Sequence, residues 1–160
     1  MISTRAQLRI VAFFYAAVVA LVLGWFTLMR TAAPSASPGS IPYELAQRAA
    51  NALPLVAVTA IFYLALSCLS LRFLALSRSW QVATIAGSLL ASLSQVSISV
   101  RDTLIVTPKY LNLGLHAYGY LAVELGVFWG RASAFVLCSY LLWKQMRDSN
   151  NRFERSRVAS

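Results

Sequence analysis

Charge is the first thing this 160-residue chain lacks: 12% of its residues are Asp, Glu, Lys or Arg, while 59% are hydrophobic. A soluble domain carries about 25% charged and about 45–50% apolar residues. That shortfall excludes a surface covered by water and points to lipid as the main solvent. Histidine is nearly absent, with only His116, and there are two cysteines, Cys68 and Cys138. Neither bis-histidine haem ligation nor a His- or Cys-rich zinc site has the ligands it needs, so no cofactor and no metal are expected. The five acids are too scattered to pair by sequence proximity, and no H-E-x-x-H, G-x-S-x-G or P-loop pattern occurs. No catalytic residue is therefore assigned, and the chain is read as a non-enzyme. His116 reads as an interfacial polar residue, and Cys68 and Cys138 as small buried residues.

Long runs without charge are what the chain does have. Uninterrupted neutral stretches run from Ile10 to Met29, Ala49 to Leu71 and Ser79 to Val100, and Tyr120 to Trp143 matches them in length but carries Glu124 and Arg131. About 20 apolar residues at about 1.5 Å each span the roughly 30 Å hydrocarbon core. Because the runs are continuous rather than alternating, helices are favoured over a barrel. The expectation is an all-α integral membrane protein, a four-transmembrane-helix bundle forming one domain over residues 1–148. Its spans are placed at about 10–29, 53–71, 80–100 and 120–143. The first run exceeds the about 7–15 apolar residues of a signal peptide and ends in Trp25, Phe26, Leu28 and Met29 rather than small residues. It reads as an uncleaved anchor.

Basic residues beside the spans set orientation, since positive charge is retained on the cytoplasmic side. With both termini inside, Arg5, Arg9, Arg72, Arg78, Lys144, Arg147, Arg152, Arg155 and Arg157 are inner, against Arg30, Arg48, Arg101 and Lys109 outside. The small size and short loops suggest a bacterial cytoplasmic membrane. Residues 31–42 read as an outer loop, 43–53 as a short helix supported by Glu44 and Arg48 at i, i+4, and 101–119 as an amphipathic outer connection. The short link from Arg72 to Arg78 makes the second and third spans expected neighbours. Residues 149–160 read as a disordered basic tail attracted to anionic lipid. Nothing interleaves aromatics with basic residues in a folded module, so the net charge of +9 is not taken as a nucleic-acid signal.

In lipid, helices associate by close approach and hydrogen bonds rather than by burying apolar surface, so small and polar stripes carry information. Ala12, Ala16, Ala20 and Gly24 recur at i, i+4 in the first span, as do Gly126, Gly130 and Ala134 in the fourth. Both stripes are expected to pack helices within the chain or at a dimer seam. Gln81, Thr84, Ser88, Ser92, Gln95 and Ser99 share one face of the third span, which is expected to look into the bundle, for interhelical hydrogen bonds or for a hydrated pathway.

Glu124 and Arg131 lie two turns apart on one face, the first near the outer boundary and the second near the middle of its span. An arginine at a helix centre costs roughly 2.5–3.5 kcal/mol on insertion scales, so it requires a partner. Glu124, Gln95 and Ser88 or Ser92 are the expected ones, and together these residues form a polar or ligand site. Two functions remain open. One is an accessory or scaffold subunit, or a homo-oligomeric component, whose partners are the bilayer and a membrane complex. The other is a small transporter or channel using Glu124, Arg131 and the polar face of the third span.

Overall fold

A computed structural model of the chain describes residues 3–31, 52–111 and 118–158. Among the described residues there is no strand. The elements are α1 (Thr4–Thr31), α2 (Leu53–Leu71), a 3-10 turn (Phe73–Ala75), α3 (Arg78–Leu111) and α4 (Tyr118–Val158). All four α-helices are long and apolar enough to cross a membrane. The readings made for the loop at 32–42, the short helix through Glu44 and Arg48, and His116 fall outside the described residues.

The boundaries follow local chemistry. Pro54 sits in the first turn of α2, where its missing N–H costs no helical bond. The first span begins earlier than its neutral run: α1 starts at Thr4 and carries Arg5 and Arg9 within the helix. Both later helices outrun the expected spans. The helix α3 has 34 residues and α4 has 41, about 51 and 62 Å at 1.5 Å per residue. A charge ends an apolar run but does not break a helix, so α3 continues through Arg101 and Asp102 and takes in Pro108 near its end. The first part of the amphipathic outer connection expected over 101–119 is thus a continuation of α3, to Leu111.

The tail expected to be disordered from residue 149 is likewise helical to Val158. The costly step in helix formation is the first turn, and here the preceding span has already made it. Between Leu125 and Val158 no proline and only Gly126 and Gly130 intervene, so nothing stops propagation.

The chain divides into two compact units, Met1–Phe73 and Leu74–Ser160, each built on one helix pair. In the first, the Ser67 hydroxyl donates to the Ala12 carbonyl at 2.8 Å, Tyr15 stacks on Tyr63 with ring centres 6.0 Å apart, and Phe26 packs against Val56. Rising numbers on α1 meet falling numbers on α2, so the pair is antiparallel, and Arg9 and Arg72 stand at the same end. In the second unit, α3 and α4 are antiparallel by the same test: Ser88 and Ser92 meet Ser139, Ser99 meets Phe128 and Asp102 meets Arg131.

The seam of each pair uses residues at steps of three and four. On α1 these are Leu8, Val11, Ala12, Tyr15 and Phe26; on α4 they are Leu121, Ala132, Phe135, Ser139 and Leu142, all buried. The expected small-residue grooves are not these seams. Ala12 is buried, but Ala16, Ala20 and Gly24 are exposed. Gly126 and Gly130 are exposed as well, Ala134 is half-buried, and a Cβ added at Gly24, Gly126 or Gly130 would meet nothing within 4 Å. The reason is angular: a strict i, i+4 series drifts about 40° per step. Ala12 therefore starts in the contact and Gly24 lies about 120° round the helix.

Candidate functional site in the second helix pair

The third-span stripe is the buried face of α3. Thr84, Ser88, Ser92 and Ser99 are almost fully enclosed, and Gln81 and Gln95 are half-buried. Its centre is a hydroxyl cluster. Ser139 of α4 lies 2.7 Å from Ser88 and 2.8 Å from Ser92, oxygen to oxygen. Ser92 also reaches the Ser88 carbonyl at 3.0 Å and Ser139 the Phe135 carbonyl at 3.3 Å. A serine hydroxyl has one proton and two acceptor positions, so the three protons supply three of these four contacts at a time, and each has an acceptor without water. Three turns along, the Ser99 hydroxyl donates to the Phe128 carbonyl at 2.8 Å, using that oxygen's second lone pair. Off the stripe, Ser97 bonds back to Leu93 at 2.9 Å, the habit of serines that face away from a partner helix.

Beyond this lies a charged level. The Asp102 carboxylate accepts from Arg101 Nε at 3.2 Å and Nη2 at 3.0 Å, while Arg131 Nη2 stands 3.9 Å from its second oxygen. The carboxylate beside Arg131 is thus that of Asp102, across the helix pair. Glu124 is half-buried two turns earlier on α4 and Gln95 is half-buried on α3, whereas Ser88 and Ser92 belong to the Ser139 cluster, about 12 Å along α4 from Arg131. Arg131 lies within the part of α4 that is long and apolar enough to cross a membrane. In the pair it is level with Arg101 and Asp102, where the neutral run of α3 ends, and its side chain is 41% exposed. Lys144 lies thirteen residues on, about 20 Å, so the longest uncharged stretch of α4 lies between these two.

Asp102 and Ser139 were missed in the sequence because one adjoined a span cut short at Val100 and the other stood alone in an apolar stretch. The period of α4 could have found Ser139, since Ala132, Phe135, Ser139 and Leu142 fall on one face. Cys138 is buried as expected, but Cys68 is exposed. Its neighbour Ser67 takes the inward position instead.

A groove of about 310 Å³ runs along the surface of this pair, lined by Ile85, Leu89, Ser92, Leu93 and Val96 from α3 and Val136, Ser139, Tyr140 and Trp143 from α4. Its walls are apolar, apart from the two serines whose hydroxyls the cluster already uses. Such a lining offers shape and dispersion contact but no acid, base or nucleophile poised for chemistry. Among the described residues, no group of His, Cys, Asp and Glu is placed to hold a metal. Comparison with protein-family models, with curated proteins and with solved structures finds no match to this chain.

Proposed function

We propose that this chain is a small integral membrane protein of four spans, acting as a scaffold or accessory subunit of a membrane complex or as a homo-oligomeric component. The observation that carries this is the Arg131–Asp102 pair. The one basic residue that read as a mid-membrane charge has an acid across the helix seam, at the end of a neutral run, which suits an architectural role. Wide apolar faces support the membrane setting: Phe13, Leu21, Ile61, Leu90, Leu93 and Val127 are all more than half exposed, as lipid-facing residues are.

The proposed orientation has both termini in the cytoplasm of a bacterial cell. Arg9 and Arg72 share one end of the first pair, and Arg78, Lys144 and Arg147 share one end of the second. Both sets are then inner, with the basic end of α4 beside anionic lipid. Arg131 stands toward the outer half of its span, level with Arg101 and Asp102. The four helices are proposed to assemble as one bundle.

The test is Arg131→Leu against the double variant Asp102→Leu/Arg131→Leu, in the detergent-purified chain. Architecture predicts that the single variant lowers the yield of correctly assembled protein and that removing both charges restores part of it. An ion current through proteoliposomes of the native chain, abolished by Arg131→Leu without loss of assembly, would replace this reading with a transporter or channel.

A further inference from the structure

The groove on the second helix pair opens toward positive charge. On α3, Ile85 and Leu89 line it, and Arg78, seven residues before Ile85, falls on the same face two turns further out. On α4, Val136, Tyr140 and Trp143 line it, and Arg147 is one turn beyond Trp143 with its guanidinium 5.5 Å over that indole ring. Because the helices are antiparallel, both walls run out to an arginine at the same end, and both arginines are exposed. The other end, at Val96 and Val136, is apolar.

We propose that this groove holds one anionic phospholipid, its phosphate at Arg78 and Arg147 and one acyl chain laid along Leu89, Leu93, Val136 and Tyr140. The proposal rests on the membrane reading above and goes beyond general attraction to a basic tail, because it assigns one lipid to one site. The chemistry at each end selects the occupant. A guanidinium binds phosphate through two parallel N–H donors, and its stacking on Trp143 holds it at the groove mouth rather than free in solvent. Trp143 marks the depth at which aromatic rings sit among headgroups. A zwitterionic lipid would fill the same apolar channel, but its own cation would sit against the two arginines. Asp148 follows Arg147 directly but lies about 100° round the helix, off the groove face.

The test uses the full chain with Trp25→Phe, Trp80→Phe and Trp129→Phe, leaving Trp143 as the only indole, in phosphatidylcholine vesicles. Brominated phosphatidylglycerol or brominated phosphatidylcholine is added as a quencher at rising mole fraction. The proposal expects the anionic lipid to reach half-quenching at about tenfold lower mole fraction, on the order given by one to two arginines at a membrane surface. Arg78→Gln/Arg147→Gln should remove most of that preference, while Arg152→Gln/Arg155→Gln/Arg157→Gln should leave it. Equal quenching by the two lipids, or a preference that survives the Arg78/Arg147 variant, overturns the lipid site and leaves the membrane reading standing. No quenching by either lipid overturns both. Phosphatidylglycerol carried through purification of the unmutated chain in mild detergent, and lost from Arg78→Gln/Arg147→Gln, gives the same answer by mass spectrometry without the tryptophan changes.

Discussion

The two helix pairs are joined by different chemistry. Between α1 and α2 the seam is aromatic and aliphatic, with Tyr15 on Tyr63 and Phe26 on Val56, and Ser67 to Ala12 supplies a hydrogen bond. Between α3 and α4 the seam is a row of hydroxyls closed at one end by Asp102 and Arg131. In water the first would be far stronger, because burial of its rings would remove apolar surface from solvent. In lipid that advantage disappears, since the tails are as apolar as the rings. What remains is packing for the first pair and packing with directional bonds for the second. A hydrogen bond fixes register along the seam, whereas a ring can slide.

Six substitutions at five positions would break or sharpen this contrast. The largest effect is expected from Tyr15→Ala, because Tyr15 is fully enclosed and its loss opens a cavity and removes the Tyr63 stack. About 3 kcal/mol of stability should go, read as a lower midpoint of thermal unfolding in detergent. If the pairs are independent, the protection of the buried Cys138 thiol from alkylation should be unchanged.

Next is Ser139→Leu, which forces a larger side chain into the hydroxyl cluster and removes the contact that Ser88 and Ser92 make with Ser139. About 2 kcal/mol is expected, and here Cys138 should become reactive. Ser139→Ala removes the bonds without crowding and should cost under about 1 kcal/mol. An Ala variant as damaging as the Leu variant would show that the bonds, not the fit, hold this seam.

A double-mutant cycle on Asp102→Asn and Arg131→Gln should give a coupling of about 0.5 kcal/mol that falls with added salt, because Arg131 Nη2 and Asp102 stand 3.9 Å apart and Arg131 is partly exposed. A coupling several times larger would mean that the charged level is shielded from water and sits deeper than the end of the neutral run suggests. The smallest effect is expected at Ser70, whose enclosed hydroxyl makes no hydrogen bond among the described residues. Ser70→Ala should be neutral or slightly stabilising, in contrast to Ser139→Ala, although both remove one buried hydroxyl.

The helices themselves were legible in the sequence, since each contains a long, continuous apolar run without the alternation of a strand. So was the buried face of α3, because polar residues at steps of three and four must share a side whatever the partner is. The small-residue stripes do not line the two described seams, because a regular interval is not the helical period: Gly126 and Gly130 keep their spacing and turn away from α3. Arg131 is a different case: α4 alone shows a lone basic residue in an apolar segment, and only α3 brings the carboxylate of Asp102 beside it.

By itself, the sequence determined that this protein is helical, that four segments are long and apolar enough to cross a membrane, and that its basic residues gather toward the ends of those segments. Those properties depend on residue type and on a period internal to each helix. Only the tertiary structure decided that Asp102 stands beside Arg131, that Ser139 completes the cluster of Ser88 and Ser92, and that the two groove walls end in arginine on the same side. These depend on the axial offset and rotation of one helix against another. No helix encodes that alone, because both are set by how side chains from two separate segments fit together.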